Sequence, residues 1–260
     1  MGLISHNNLE YFIFDSFQDC GVIHGVFTRI GGISPTPWSS LNLGGTVGDS
    51  RENIIENRAR IFHCIKRPVE SVFDAWQVPG THAILANAPR GLDNPHQRGD
   101  IILTDRPEVT LLMRFADCVP IMLVDPCHRA IAIVHAGWQG TVNKAAAVAV
   151  EWMVSRFNSR PKEILAGIGP SIGPDHYQVG EEVIQKVKLN FEIHSDKILA
   201  VRDDKTYFDL WLANQLILEH AGVQKIEISG LCTACDLTRW FSHRAENGKT
   251  GRIGAVLALE

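Results

Sequence analysis

The sequence predicts a mixed α/β or α+β domain in which helices cover buried sheet layers. Four apolar runs follow one another between residues 101 and 134, and some are apolar at every position, as in strands that are buried on both faces. Segments with helical spacing alternate with strand-like runs, but without the regular rhythm of a doubly wound sheet. With 260 residues, of which 45% are hydrophobic, the chain is long enough to bury a core without disulfides.

The elements follow in chain order from these patterns. A strand is predicted at Val22–Phe27, and a helix capped by Ser50 comes next. The residues of that helix that should face the core are Ile54, Ile61, Phe62 and Ile65. The further predicted strands are Ile101–Thr104, Val109–Phe115, Val119–Val124, Ala130–Val134, Ile164–Ile168, Ile226–Ser229 and Ile253–Leu259. The further predicted helices are a long one from Gly137 and Gly140 to about Phe157, Glu181–Asn190, and Leu210–Ala221 with Asp209 as its cap. No repeat or linker divides the chain, so residues 1–260 are predicted to form a single domain.

Composition and charge exclude several classes of protein. A net charge of −4 gives no electrostatic footprint for nucleic acid, and no uncharged apolar run has the length of a membrane helix. The first 17 residues are polar where a signal peptide needs an apolar stretch. We therefore expect a cytoplasmic protein, monomeric or homodimeric, that binds neither nucleic acid nor membranes.

Common enzyme motifs are missing from the sequence. It contains no phosphate-binding loop, dinucleotide fingerprint, Gly-x-Ser-x-Gly elbow or His-Glu-x-x-His helix, and no two His residues stand two positions apart. Cys232 and Cys235 form a lone Cys-x-x-Cys pair, for which a structural role is favoured, with a redox role as the alternative and a four-thiolate zinc site disfavoured.

The strongest candidate for chemistry is a pair of residues at two strand ends. Cys118 precedes the Val119–Val124 run, and His135 follows the Ala130–Val134 run. If these runs form a hairpin, the thiol and the imidazole are neighbours, and an imidazolium or a metal would hold the thiol as thiolate. Alternatively, each residue is simply part of the core.

Further polar residues could complete such a site. Zinc with an open fourth position would need another nitrogen ligand, for which spacing alone leaves His82, His24, His96 and His243 as candidates. Arg29 precedes the Gly31-Gly32 turn and could bind phosphate, or lie at the surface. Asn42 could contact a ligand edge or cap a turn.

The ordered set of motifs resembles one family over nearly the whole chain. The motifs are Thr28-Arg29-Ile30-Gly31-Gly32, Ser40-Leu41-Asn42-Leu43-Gly44, Ala116-Asp117-Cys118-Val119-Pro120, His135-Ala136-Gly137-Trp138, Gly169-Pro170-Ser171-Ile172-Gly173, Tyr177-Gln178-Val179-Gly180 and Gly251-Arg252-Ile253-Gly254. This pattern is similar to the bacterial YfiH/YlmD group, with laccase domain-containing protein 1 as its mammalian relative and polyphenol oxidase as its older name.

The resemblance implies a fold, a cofactor and a reaction. The fold would be a four-layer α/β/β/α arrangement with mixed sheets, similar to the catalytic domain of cytotoxic necrotizing factor. Zinc, or copper, would be bound by one Cys and two His, of which Cys118 and His135 match the motifs. The reactions would be phosphorolysis of adenosine, inosine, guanosine and methylthioadenosine, and deamination of adenosine, with Arg29 and Asn42 holding phosphate and nucleoside.

Two positions depart from the family pattern. Gln77-Val78-Pro79-Gly80 stands where the family has Gln-x-His-Gly, so Pro79 replaces the remaining ligand, and His82 could replace it only if the chain turns sharply. Gln139 stands where a basic residue is common. The rival hypotheses are therefore a metal-free hydrolase or amidase with Cys118 as nucleophile and His135 as base, and a degenerate member that binds nucleosides without turnover.

Overall fold

A computed structural model describes residues 2–260 of the chain. The strands are β1 (Gly2–His6), β2 (Leu9–Ile13), β3 (Val22–Phe27), β4 (Val72–Asp74), β5 (Ala83–Leu85), β6 (Ile101–Thr104), β7 (Thr110–Phe115), β8 (Val119–Asp125), β9 (Ala130–Ala136), β10 (Leu165–Ile168), β11 (Gln178–Val179), β12 (Leu199–Arg202), β13 (Lys205–Phe208), β14 (Lys225–Ile228) and β15 (Ile253–Leu259). The α-helices are α1 (Arg51–Cys64), α2 (Trp138–Val142), α3 (Ala145–Phe157), α4 (Glu181–Phe191), α5 (Ser195–Ile198) and α6 (Leu210–His220).

The strands form two six-stranded sheets and one small sheet. The first sheet has the order β1-β2-β3-β15-β7-β4, the second β14-β10-β8-β9-β6-β5, and the third β11-β13-β12. Both large sheets are mixed, because β4 joins β7 and β5 joins β6 in parallel while most other neighbours are antiparallel. The predicted mixed α/β class is confirmed.

The core explains why the central strands are apolar at every position. In β8, Met122 and Val124 pack in a cluster shared with the first sheet, while Ile121 and Leu123 pack in a second cluster with α3 and α6. Helix α1 covers the other face of the first sheet through a third cluster that includes Ile61. The first sheet therefore shares one buried cluster with the second sheet and another with α1. The four-layer order and the likeness to the toxin domain stay predictions.

The predicted elements are present, most with ends shifted by one or two residues, and one predicted helix is divided. Ser50 Oγ accepts a hydrogen bond from Asn53 N at 3.2 Å, and Asp209 Oδ1 accepts one from Leu212 N at 2.9 Å, so both helix caps are confirmed. The long helix predicted after Gly137 is instead α2 followed by α3, because Lys144 adopts a left-handed φ of 60° between them.

Seven strands were not predicted from the sequence, namely β1, β2, β4, β5, β11, β12 and β13. The first two form a hairpin closed by Asn7 and Asn8, which both have positive φ, as a tight turn with a twist matched to the strands requires. Within residues 2–260, no helix has the length and apolar character needed to cross a membrane.

Candidate active site at the end of the central hairpin

The hairpin of β8 and β9 brings Cys118 and His135 together. The two strands pair antiparallel with Pro120 opposite His135, so the residue two positions before Pro120 lies beside the end of β9. The Cys118 thiol and the His135 imidazole line the same two cavities and interact electrostatically. A Cβ added to Gly137 would lie 3.0 Å from Cys118 Sγ, so the turn after β9 also closes tightly on the sulfur. The predicted hairpin and the contact it implied are confirmed.

Asp117 fixes the backbone that carries the thiol. It adopts a left-handed φ of 80°, and its carboxylate accepts hydrogen bonds from Thr233 Oγ1 at 2.7 Å and from Arg244 N at 2.7 Å. Its carbonyl accepts a third hydrogen bond, from Ile172 N at 2.9 Å. Three separate segments thus hold the residue beside Cys118, and this buried carboxylate explains why the left-handed conformation is tolerated.

Asp100 is a functional candidate that the sequence did not reveal. Its Oδ1 lies 3.3 Å from His135 Nδ1, and its carbonyl accepts a hydrogen bond from His135 N at 2.8 Å. Both side-chain atoms are buried and lack a well-aligned hydrogen bond, so their contact is an ion pair rather than a regular hydrogen bond. Only its position beside an apolar strand, after Arg98 and Gly99, could have drawn attention to this carboxylate.

These partners keep the imidazole charged. Burial alone would lower the pKa of His135, but its interactions with Cys118 and Asp100 outweigh burial and raise that pKa to about 10. Burial, followed by the charge of Cys118, also raises the pKa of Tyr177. At neutral pH the corner formed by Cys118 and His135 therefore contains an imidazolium next to the Cys118 sulfur.

A small cavity of about 230 Å³ opens on one side of this corner. Its walls are mainly apolar and aromatic. The lining residues are Pro79, Asp100, Asp117, Cys118, His135, Gly137, Trp138, Gln139, Gly140, Ile172, Tyr177 and Leu210. A largely apolar cavity with a few polar groups is the usual form of a site for a small organic ligand.

A larger cavity of about 560 Å³ opens on the other side, and Cys118 and His135 line both. Cationic and imidazole side chains distinguish it from the first. The lining residues are Gly44, Gly45, Thr46, Trp76, Gln77, His96, Arg114, Ala116, Cys118, His135, His243 and Arg252. The guanidinium groups of Arg114 and Arg252 are suited to an anion.

A buried carboxylate organises part of this cationic wall. Asp74 is fully buried and contacts Arg58, Arg90, Arg114 and His96 at 2.8–3.1 Å. Burial would raise the pKa of Asp74, but the hydrogen bond from His96 and the neighbouring guanidinium groups hold it well below its usual range. His96 is therefore engaged with Asp74.

Two residues predicted to bind substrate lie outside both cavities. Arg29 donates to the carbonyls of Ser39 and Leu237, pairs with Glu246 at 3.1 Å, and its guanidinium packs 4.3 Å from the centre of the Phe241 ring. Asn42 is fully buried, and its Oδ1 accepts hydrogen bonds from Gly44 N at 2.8 Å and Arg252 N at 2.9 Å. Both residues hold loops in place, and Asn42 holds two segments that line the cationic cavity.

None of the histidines considered as a third metal ligand lies close enough to both Cys118 and His135 to share an ion with them. His82 is exposed and lines neither cavity, whereas Pro79, the residue in the implied ligand position, lines the apolar one. His24 lies in the core, where Phe14 N donates to its Nε2 at 2.9 Å. His243 lines only the cationic cavity.

The residues at the corner therefore do not fit the zinc site implied by the resemblance, which needs three protein ligands around one ion. Within residues 2–260, the one group of three or more His, Cys, Asp or Glu side chains whose ligand atoms lie within 4.8 Å of one another is His176, Cys232 and Cys235. That cluster, and not Cys118 with His135 and His82, has the form of a metal site.

Comparisons with known proteins relate the chain to one family. The model of a family described as multi-copper polyphenol oxidoreductase laccase matches residues 23–260. The chain is 36% identical over 239 residues to a purine nucleoside phosphorylase of Deinococcus radiodurans, which covers 92% of this chain and 89% of that protein. It is 34% identical over 246 residues to the purine nucleoside phosphorylase YlmD of Geobacillus stearothermophilus, covering 91% of this chain and 90% of that one.

Solved structures of the same family have a very similar fold. The crystal structure of YlmD from Geobacillus stearothermophilus superimposes with a TM-score of 0.92 at 32% identity, over 99% of this chain and 98% of that one. That of the hypothetical protein YfiH from Bacillus licheniformis gives a TM-score of 0.90 at 32% identity, over 98% and 97% of the two chains. With a family model that spans most of the chain and relatives that match it almost end to end, the protein belongs to the laccase-like YfiH/YlmD family.

Proposed function

We propose that the protein is a purine nucleoside phosphorylase whose reaction takes place at Cys118 and His135. The observation that carries this proposal is that one thiol–imidazole corner borders two cavities of different chemistry. The apolar cavity is suited to a purine, and the cationic cavity is suited to phosphate. A nucleoside lying across the corner would place its glycosidic bond between them, and the names of the relatives support this assignment.

The reaction assigns a role to each side of the corner. A phosphate oxygen attacks the anomeric carbon of the ribose, the bond to the purine nitrogen breaks, and the purine leaves with the electron pair. His135, held as an imidazolium, would donate the proton that neutralises the leaving purine and recover one from phosphate. Trp138 and Tyr177 would contact the faces of the base. Positioning and charge account for such a reaction without a metal step.

Arg252 replaces Arg29 as the proposed phosphate-binding residue. It lines the cationic cavity, and the charges of Cys118 and Asp117 act on it. Arg29 lines neither cavity and is paired with Glu246, so we propose that it supports the loop before Gly31. Asn42 similarly supports Arg252 through the backbone hydrogen bond at 2.9 Å.

Adenosine, inosine, guanosine and methylthioadenosine are the proposed substrates, and deamination of adenosine is secondary. Deamination needs an activated water, which in this family would come from zinc or copper held by a third ligand. Pro79 lines the apolar cavity at the position of that ligand and has no side-chain donor. We therefore propose phosphorolysis as the main reaction.

A metal-free hydrolase or amidase is the second candidate function. The observation that favours it is the order Asp100, His135, Cys118, because a carboxylate that orients an imidazole beside a thiol is the arrangement of cysteine hydrolases. In that reaction Cys118 Sγ would attack a carbonyl carbon, and His135 would protonate the leaving amine.

The deciding experiment is incubation of the purified protein with adenosine, with and without phosphate, followed by chromatography of the products. Phosphorolysis gives adenine and ribose 1-phosphate only when phosphate is present. Inosine would indicate deamination, and adenine without phosphate would indicate hydrolysis. Nucleoside binding without any product would indicate a degenerate member of the family.

Matched variants sharpen that experiment. Arg252→Gln should raise the KM for phosphate by about tenfold or more, because a charge-assisted hydrogen bond is worth about 1.5–3 kcal/mol. Arg29→Gln should leave that KM nearly unchanged. Equal effects of the two variants would remove Arg252 from the proposed site. P79H tests the missing ligand separately, since zinc-dependent formation of inosine should appear only in that variant.

A further inference from the structure

A second thiol–imidazole cluster lies outside both cavities of the proposed active site. His176 Nδ1 lies 3.7 Å from Cys232 Sγ and 3.6 Å from Cys235 Sγ. Tetrahedral zinc, with Zn–S near 2.3 Å and Zn–N near 2.0–2.1 Å, separates a sulfur ligand from a nitrogen ligand by about 3.6 Å. Both nitrogen-to-sulfur distances therefore already match those that a shared zinc ion would impose, and all three ligand atoms lie within 4.8 Å of one another.

Backbone contacts build this cluster without the help of an ion. Cys235 N donates to Cys232 O at 3.2 Å, which closes the Cys-x-x-Cys turn, and His176 N donates to Gly173 O at 3.0 Å, which closes the turn that carries the imidazole. Thr233 N donates to Ser171 O at 3.0 Å and joins the two loops. The cluster is thus held by structure that would persist in the metal-free protein.

The surroundings of the sulfur atoms suit a bound cation. Gly173 N donates a hydrogen bond to Cys232 Sγ at 3.1 Å, the kind of contact from outside the ligand set that tunes bound ligands. A Cβ at Gly173 would lie 3.2 Å from the same sulfur, so a larger residue would crowd this approach. Burial, the neighbouring Cys232 and the carboxylates of Asp175 and Asp236 raise the pKa of the Cys235 thiol, and the same negative charge would attract a metal cation.

We propose that His176, Cys232 and Cys235 bind one zinc ion. Two sulfur ligands and one imidazole favour an ion of intermediate softness over Mg²⁺ or Ca²⁺, which prefer oxygen. His176 and Cys235 are exposed, so water can occupy the fourth position. On binding, each thiol releases its proton to solvent and the ion keeps its charge, so the step needs no oxidant.

The ion would act on the active site by positioning. His176 is followed directly by Tyr177, which lines the apolar cavity, and Cys232 is followed by Thr233, whose hydroxyl holds Asp117. Zinc would therefore fasten the loop of Tyr177 to the loop that supports the residue next to Cys118. This consequence for activity rests on the proposed function, whereas metal binding itself does not.

Metal binding can be measured without any assay of activity. The wild type is stripped with a chelator under reducing conditions, titrated with Zn²⁺ alone, and loaded in parallel with Co²⁺ to record the thiolate-to-cobalt absorption band. We expect one zinc ion per chain and a clear band. Cys235→Ser changes an exposed side chain and should weaken zinc binding at least about tenfold, because even contacts behind the ligands are worth 10–100-fold.

Two further variants locate the ion. Cys118→Ser removes the thiol of the active site and Cys127→Ser removes another exposed thiol, and both should keep the zinc and the cobalt band. The proposal is overturned if zinc is retained in Cys235→Ser but lost in Cys118→Ser. It is equally overturned if freshly purified protein contains a Cys232–Cys235 disulfide and no zinc, or if the reduced protein takes up no zinc at all.

Discussion

His24 on β3 and His135 on β9 are both largely buried but differ in charge. At neutral pH the ring of His24 is neutral and that of His135 is positively charged. His24 is 9% exposed, packs between the rings of Phe14 and Phe17, and accepts a hydrogen bond from Phe14 N. Burial lowers the pKa of His24 to about 4. His135 retains 16% of its side-chain exposure, and its pKa is raised to about 10 by Cys118 and Asp100 in spite of burial.

The difference shows that the partners of a buried imidazole, and not burial alone, determine its role. A backbone N–H paired with the ring nitrogen requires a neutral ring, which makes His24 part of the core. Cys118 and the carboxylate of Asp100 favour a charged ring, which makes His135 able to donate a proton. Desolvation and nearby charge act in opposite directions on a histidine, and at His135 charge prevails.

The largest expected effect is a loss of activity that substitution of His135 causes and substitution of His24 does not. In the proposed phosphorylase reaction, His135→Gln should lower kcat by about 10²–10⁴-fold, the usual contribution of a general acid. His24→Gln should leave kcat within about twofold, because it touches neither cavity. Both variants are assayed with adenosine and phosphate, with unfolding curves as the control for folding. Similar losses of kcat in both would show that His135 also serves only the core.

The second effect is on stability, and it separates the histidines by pH. The pKa of His24 falls from 6.5 in the unfolded chain to about 4 in the folded protein, so the unfolded state binds more protons between these values. Its contribution to stability is complete above pH 6.5 and is lost as the pH falls toward 4. The loss amounts to about 3 kcal/mol at most, at 1.36 kcal/mol per pKa unit.

Denaturant unfolding at pH 7 and pH 4 tests this expectation. His24→Gln keeps an acceptor for Phe14 N but cannot take up a proton, so its free energy of unfolding should fall with pH by less than that of the wild type. The free energy of unfolding falls from pH 7 to pH 4 by a different amount in each protein, and the difference between these two amounts separates the contribution of His24 from that of other titrating groups. Parallel pH profiles would mean that His24 is not buried as a neutral ring.

The contrast between His24 and His135 also shows what the sequence could and could not predict. The apolar runs predicted the central strands and the hairpin, because a strand covered on both faces leaves a pattern that no other element of that length shares. The same pattern surrounds both histidines, so it cannot tell His24 from His135. The decisive partners, Asp100 and the backbone N–H of Phe14, come from other parts of the chain.

The site residues likewise fall into those that local sequence could predict and those whose partners lie far away in the chain. Cys118 and His135 could be predicted because both stand on one hairpin, whose register depends only on local sequence. Arg29 and Asn42 were assigned to substrate from their place near glycine turns, but distant carbonyls and amides engage both. The His176 ligand to the Cys-x-x-Cys pair was missed because more than fifty residues separate it from the thiols, and no spacing rule covers such a distance.

The smallest expected effect concerns Asp100, which acts on substrate only through His135 and is therefore a positioning residue. Asp100→Asn keeps a side-chain oxygen that can accept the 3.2 Å hydrogen bond from Gly80 N, but it removes the charge beside His135 Nδ1. We expect kcat of the proposed reaction to fall by about tenfold to a hundredfold, the value of a lost charge-assisted contact. Because the pKa of His135 falls with the charge, the alkaline limb of the kcat profile should also move to lower pH.

Asp125 at the far end of the same hairpin provides the matched control. Its carboxylate pairs with His128 Nδ1 at 2.9 Å and accepts a hydrogen bond from Cys127 N at 2.9 Å, but it lines neither cavity of the proposed site. Asp125→Asn should therefore lower the free energy of unfolding and leave the pH profile of kcat in place. If Asp100→Asn behaved in the same way, its contact with His135 would be structural, and the raised pKa of His135 would have to depend on Cys118 alone.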